Sequence, residues 1–352
     1  MKIYVLGANS AFKTGEFKRA MTYDEVYSLL KTYYQMVAEK RTLIPIKTFL
    51  EGININLDLY YKPIWQSNFL LEFESDAGKR NDGFYRLVFD FGSDFRHSLA
   101  QLGYKLTDID GYYVSHPHHD HIGGIEYIAL SSLFDPHFTK EKYEWLNEEG
   151  DAIKIAHKVS MREHLPIEER VPSEMKPDLY GHKEVLRDLW HAAKPGLNTI
   201  QGILSGELKL DLYFNVCKVK ADVPIVMRDG ERTWKLYIVP STHVLAGYGK
   251  FMPSYGLLLK CSDGRQIFMP SDTQFMNPKT IKQFYQTSDF IYQDCETGMK
   301  SDVHPFIDEL RFDPSMTPEI KKKCYLYHYD NEPIIDAEEF AGILRAGDCH
   351  QY

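Results

Sequence analysis

Apolar and polar positions along this chain predict strands first and helices second. Residues 2–6 form a short apolar strand, and the Gly7-Ala8-Asn9-Ser10 that follows suits a tight turn. Thr22-Tyr23-Asp24-Glu25 fits a capping box, after which Val26, Leu29, Leu30, Tyr33 and Val37 recur at helical spacing, the mark of an ordinary packing face. Two aromatic-rich apolar runs, 68–73 and 85–89, are separated by a polar Asp/Gly/Lys/Asn segment, which predicts a hairpin with a long loop. The second run ends in Asp90-Phe91-Gly92. A short helix is expected near 98–102, then a strand at 111–114 that delivers the chain into Ser115-His116. Residues 138–200 differ in character, with many charges, prolines at 166, 172, 177 and 195, and weak helical periodicity, so they read as an insertion. Residues 11–65 read as a smaller one. Strand patterns return at 208–219, 234–239, 255–259 and 266–269, with helices at 278–286 and 303–310. No long repeat or low-complexity tract interrupts this order. Strands in runs, broken by helices in both halves, predict a single domain of two stacked sheets with helices outside.

The composition narrows the class of function. With 352 residues, 43% of them hydrophobic and 26% charged, the chain is a globular protein with an extensive core. A formal net charge of −9 argues against broad binding to nucleic acid or anionic lipid, because that affinity comes from neutralising phosphates with Lys and Arg. No apolar stretch approaches the roughly 18 residues of a membrane span, and the first apolar run is too short for a signal peptide, so a cytoplasmic protein is expected. Cys217, Cys261, Cys295, Cys324 and Cys349 are odd in number, far apart and without a CxxC pair. They read as reduced, mostly buried thiols.

The strongest chemical signal is Ser115-His116-Pro117-His118-His119-Asp120-His121-Ile122-Gly123-Gly124. Four imidazoles and a carboxylate crowd the end of an apolar strand, where one turn can aim several of them into a common space. Neutral imidazole and carboxylate are the ligands of divalent zinc, manganese or iron. His119 reads as an outward or supporting residue. Asp90, which also ends an apolar strand, is either a simple turn residue or the group that holds a ligand histidine in its tautomer.

In His116, His118, Asp120 and His121 the sequence resembles the HxHxDH signature of the metallo-β-lactamase superfamily. That resemblance implies a four-layer αβ/βα sandwich of the α/β (α+β) class, two metals at the sheet ends, and further ligands from later loops. A histidine after an apolar strand is matched by His243, an Asp in an SDT-like Ser271-Asp272-Thr273 by Asp272, and a last strand-end histidine by His328. His116, His118 and His243 then fall to one metal, and Asp120, His121 and His328 to the other, with Asp272 as the bridge. Two such cations, about 3.5–4 Å apart, lower the pKa of a shared water and clamp the attacked oxygens. Zinc is the expected ion and manganese the alternative.

Two later features resemble the tRNase Z branch. Pro253-Ser254-Tyr255-Gly256 follows His243 after a short extra loop, and the 290–293 strand leads into Asp294-Cys295-Glu296-Thr297 and then His304. In that branch a Glu and a His form a dyad that protonates the leaving oxygen. Here Asp294 stands for the Glu and His304 for the His, with Glu296 as the competing acid. An alkoxide leaving from phosphorus has a high pKa, so a donor of this kind lowers its barrier. The catalytic set is thus Asp120, His304 and Asp294. Within the branch the late block is closer to the anti-Pycsar cyclic nucleotide phosphodiesterases, whose likeness also suggests a homodimer. Residues 140–200 hold 10 Lys+Arg against 12 Asp+Glu, no basic excess with which to grip tRNA. The expected substrate is therefore a small phosphodiester, a 3′,5′-cyclic nucleotide. Three rival readings are a tRNA 3′-processing endoribonuclease, a lactone or thioester hydrolase, and a binding protein without turnover.

Overall fold

The inner strands at 68–73, 84–89, 111–114 and 290–294 bury both faces, which is why their sequences run apolar with little alternation. The computed structural model describes residues 1–10, 23–39, 64–79, 82–134, 176–199, 208–246, 249–275, 279–298, 300–329 and 337–352. The chain divides into two compact units, Met1–Phe12 with Trp65–Tyr352, and Lys13–Ile64. In the smaller unit the predicted helix spans Tyr23–Ala38 (α1). Leu29 and Tyr33 are half-buried there, whereas Leu30 and Val37, also expected on the packing face, are exposed. The capping residue Thr22 lies outside the described residues.

The larger unit contains two seven-stranded sheets. The first comprises β1 (Lys2–Gly7), β2 (Asn68–Glu74), β3 (Phe84–Phe89), β4 (Gly111–Val114), β5 (Asp178–His182), β6 (Asn215–Val219) and β16 (Cys349–Gln351). Its spatial order is β16-β1-β2-β3-β4-β5-β6, with β3 through β6 parallel. The second comprises β7 (Ile225–Asp229), β8 (Arg232–Ser241), β11 (Ser254–Cys261), β12 (Gln266–Met269), β13 (Phe290–Asp294), β14 (Cys324–Tyr327) and β15 (Gly342–Ile343), in the order β15-β14-β13-β12-β11-β8-β7. A separate ribbon pairs β9 (Leu245–Ala246) with β10 (Lys250–Phe251).

Alternate side chains of each strand serve different layers. Phe69, Leu71, Phe73, Leu87 and Phe89 of the first sheet face Trp234, Leu236, Leu257, Ile267 and Tyr292 of the second. Between them lie Leu70 and Val88, which point the other way, onto the helices Phe95–Gln101 (α2), Ile125–Phe134 (α4) and Lys183–Leu197 (α5). The second sheet presents Leu258, Phe268, Ile291 and Leu326 to the helices Lys279–Thr287 (α7) and Ile307–Phe312 (α8). The result is the expected helix-sheet-sheet-helix order. Between α2 and α4 the short helix α3 (His119–Ile122) follows β4, and α6 (Leu210–Tyr213) precedes β6.

Several boundaries differ from those the sequence predicts. The expected strand at 208–219 is a helical turn, α6, followed by β6. Residues 176–199, read as part of the insertion, supply β5, a strand hydrogen-bonded on both sides, and α5, whose Val185, Leu189, Ala193 and Leu197 recur every four residues on its buried face. The chain returns to the core about twenty residues before the sequence signal suggests. Residues 135–175 lie outside the described ones. Cys261, Cys295 and Cys324 are buried free thiols, whereas Cys217 is half-buried and Cys349 exposed. Among the described residues no helix is long and apolar enough to cross a membrane.

Candidate metal centre

The strands β3, β4, β12, β13 and β14 all deliver a candidate site residue just past, or at, their C-terminal ends, and β8 runs in the same direction as β12. Asp90 follows β3, His116 follows β4, His243 follows β8, Asp272 follows β12, Asp294 ends β13 and His328 follows β14. Both sheets therefore open one edge of the sandwich onto a common polar space. The turns that do this are strained. Asp90, Ser271 and His328 have φ of 60°, 60° and 65°, in the left-handed region that non-glycine residues rarely occupy. Three such residues at one locus mark where the fold holds side chains against local preference.

Asp272 is the centre. Its Oδ2 lies 3.1 Å from His121 Nε2, 3.3 Å from His328 Nε2, 3.7 Å from His116 Nε2 and 3.8 Å from His243 Nε2. On one side His118 Nδ1 is 3.1 Å from both His116 Nε2 and His243 Nε2. On the other, Asp120 Oδ2 is 3.2 Å from His121 Nε2 and 3.5 Å from His328 Nε2. Among the described residues the potential ligand atoms thus form three groups that share Asp272: His116, His118 and His243 with Asp272, Asp120, His121 and His328 with Asp272, and a smaller one of Asp294 and His304 with Asp272.

Hydrogen bonds on the far side of the rings fix which nitrogen faces inward. Asp90 Oδ2 lies 2.7 Å from His121 Nδ1, while its two carboxylate oxygens also accept from Ser115 N and Ser115 Oγ. Of the two roles the sequence allows for Asp90, this is the orienting one. His243 Nδ1 donates to Val303 O at 3.1 Å, leaving Nε2 for the cluster. His119 is exposed and outside it.

The electrostatics distinguish the first two groups. Burial, with His121 beside it, holds His116 well below the usual imidazole range, and burial likewise brings His243 down to about 3. Neutral imidazoles with inward lone pairs are competent ligands. Burial opposes charge on His121 and His328 as well, yet Asp272 and Asp120 outweigh it and raise His121 well above its ordinary value and His328 to about 9. Asp272 is driven low despite complete burial, because His121 and His328 flank it. Asp272 Oδ1 and both ring nitrogens of His328 are buried without a hydrogen bond. Orphaned atoms of this kind are costly in a protein interior, and acceptor nitrogens 3.1 Å apart repel unless a proton or cation lies between them. The donor set fits divalent metal.

Beyond this cluster, His304 Nδ1 lies 3.0 Å from Asp294 Oδ2, and its Nε2 is 3.9 Å from Asp272 Oδ2. The carboxylate therefore turns the other ring nitrogen toward the cluster. Glu296, the competing acid, instead accepts from Ser301 N at 2.8 Å and shapes the loop that carries His304. Burial and the adjacent His328 bring His304 down to about 4, while burial and the Asp272 charge raise Asp294. Sequence reasoning missed Ser115 as a partner of Asp90 and the Val303 carbonyl as a partner of His243; the serine next to His116 was the only visible signal.

A family model described as "Anti-Pycsar protein Apyc1" matches residues 60–148 and 161–350. The Anti-Pycsar protein Apyc1 of Bacillus phage 010DV004 is 25% identical over 292 residues, covering 81% of this chain and 90% of the relative. That of Paenibacillus xerothermodurans is 27% identical over 263 residues, 73% and 80% respectively. Among solved structures, a diphosphatase of the PhnP family superposes with a TM-score of 0.53 at 13% identity over 100% of this chain and 97% of that one. The metallo-β-lactamase fold protein YhfI of Bacillus subtilis gives 0.50 at 13% identity over 99% and 98%. These two likenesses show the fold, the metallo-β-lactamase sandwich.

Proposed function

The chain belongs to the family of the Anti-Pycsar protein Apyc1, and from that membership we propose that this metal-dependent phosphodiesterase opens 3′,5′-cyclic nucleotides to linear nucleoside monophosphates. The observation that carries the reading is the convergence on Asp272 of two His/Asp groups, with the pair of His304 and Asp294 facing the same carboxylate. Two divalent ions, zinc or manganese, held by His116, His118 and His243 and by Asp120, His121 and His328, with Asp272 shared, would supply a nucleophile at neutral pH and neutralise phosphate charge.

The remaining work belongs to the protein. Asp90 holds His121 with its Nε2 inward, and Val303 does the same for His243. Asp294 fixes His304 so that its Nε2 is the proton donor to the departing ring oxygen. Overall the ester bond from phosphorus to that oxygen breaks, a water oxygen bonds to phosphorus, and a water proton ends on the departing oxygen. The imidazolium formed in transit is stabilised by Asp294.

A substrate panel tests the proposal: cyclic mononucleotides, cyclic dinucleotides, bis-p-nitrophenyl phosphate and precursor tRNA, each with and without zinc or manganese. Metal-dependent release of linear monophosphates, with tRNA a poor substrate, is the expected result. Accurate 3′ trimming of tRNA beside inert cyclic mononucleotides would reverse the assignment toward a processing endoribonuclease.

A further inference from the structure

A cleft of about 830 Å³ opens directly beyond His304, which forms part of its wall. Its size falls in the range of small-molecule sites. Three phenylalanines, Phe275, Phe306 and Phe312, contribute to the lining, and Phe312 is 78% exposed. A large aromatic ring left open to water beside a reaction centre is a stacking surface in search of a flat partner. The ionic groups of the lining are mostly acidic. Lys300 pairs with Glu309 at 2.5 Å and Asp308 lies 3.5 Å from Arg311, so Asp302 and Asp313 set the sign of the field. Phosphate is repelled from such a rim, while a neutral ring carrying amino donors is accepted. Another cavity, about 290 Å³ between α2 and α4, is lined by neither His304 nor any of the clustered histidines.

We propose that this phenylalanine-walled, acid-rimmed cleft is the nucleobase subsite, with Phe312 stacking on the base while the single phosphate sits at the histidine cluster. The inference rests on the reading of the chain as a cyclic nucleotide phosphodiesterase and deepens it. His304 lies at the junction of the two compartments, where the bond between phosphate and sugar must lie if the base is in the cleft. The acidic rim leaves no place there for a second phosphate, which disfavours polynucleotides and cyclic dinucleotides by the same repulsion.

Steady-state kinetics of the metal-loaded, full-length protein test it with two substrates, 3′,5′-cyclic AMP and the methyl riboside 3,5-cyclic phosphate that lacks a base. The readout is the ratio of their KM values, which the wild type holds in favour of cyclic AMP. In Phe312→Ala that preference should fall roughly tenfold, the usual scale of a lost base stack, and Phe312→Tyr should restore it. An unchanged ratio in Phe312→Ala overturns the subsite. A wild type that cleaves bis-p-nitrophenyl phosphate but neither cyclic substrate removes the parent reading and the subsite together, a pattern visible before any variant is made.

Discussion

His304 is the residue whose chemistry is easiest to isolate, because its proposed work depends on the leaving group. An alkoxide needs a proton as it departs from phosphorus, whereas p-nitrophenolate, the base of a fairly strong acid, does not. His304→Ala should therefore lose on the order of 10²–10⁴ in kcat with a cyclic nucleotide and much less with bis-p-nitrophenyl phosphate, at unchanged metal content. Asp294→Asn should show a milder version, since the amide can still orient the ring but cannot stabilise its cation. Equal losses on both substrates would leave His304 a structural or binding residue. At this scale the sequence singled out the residues that cluster and, of their supports, only Asp90, as one of two readings. HxHxDH is contiguous and chemically improbable by chance, and His243, Asp272 and His328 each follow an apolar strand. The strained φ angles at Asp90, Ser271 and His328 have no such signature, because they are imposed by the surrounding sheets.

Among elements, β11 shows how a local sequence motif positions a distant group. Gly256 sits where the start of β11 crosses the end of β12, and a Cβ there would lie 2.4 Å from Met269 O and 2.5 Å from the Pro270 carbonyl carbon. Both are backbone atoms of the segment that turns into Ser271 and Asp272, and Ser241 Oγ also bonds Pro270 O at 2.6 Å. The glycine of Pro253-Ser254-Tyr255-Gly256 is thus a spacing device for the central carboxylate. Gly256→Ala should displace that segment, destabilising the fold by about 1–3 kcal/mol and weakening metal binding, checked by thermal melts and metal titration. A variant with wild-type melt and wild-type affinity would show that the segment yields freely. Element reasoning from the sequence worked where runs were long and apolar, as in β2, β3, β8 and β11. It failed at β5, a five-residue strand with a glycine, half-exposed side chains and charged flanks, which only its neighbours β4 and β6 make a strand.

On the scale of the whole molecule, the cluster ties the two sheets together. His116, His118, Asp120 and His121 come from the first, and His243, Asp272 and His328 from the second, so an ion held by them would link the halves of the sandwich at their open edge. Without a cation, buried carboxylates and imidazoles face one another with unmet hydrogen-bonding capacity at Asp272 and His328. Unfolding would release such an ion, because these residues are scattered over more than 200 positions of the chain and converge only in the native state. Binding to the native state alone adds RT ln(1 + [L]/Kd), about 2.7 kcal/mol when the free ion is at 100 Kd. Stripping metal with a chelator should therefore lower the melting temperature, and restoring zinc or manganese should raise it again. Elemental analysis of the purified protein should find up to two divalent ions per chain. Asp120→Ala, which removes a ligand from one group and leaves the other intact, should reduce the count and shrink the chelator-induced shift. Protein that contains no divalent ion, and whose melt responds neither to chelator nor to added metal, would break the link drawn here between the histidine cluster and the sandwich, and with it the assignment of these residues as ligands.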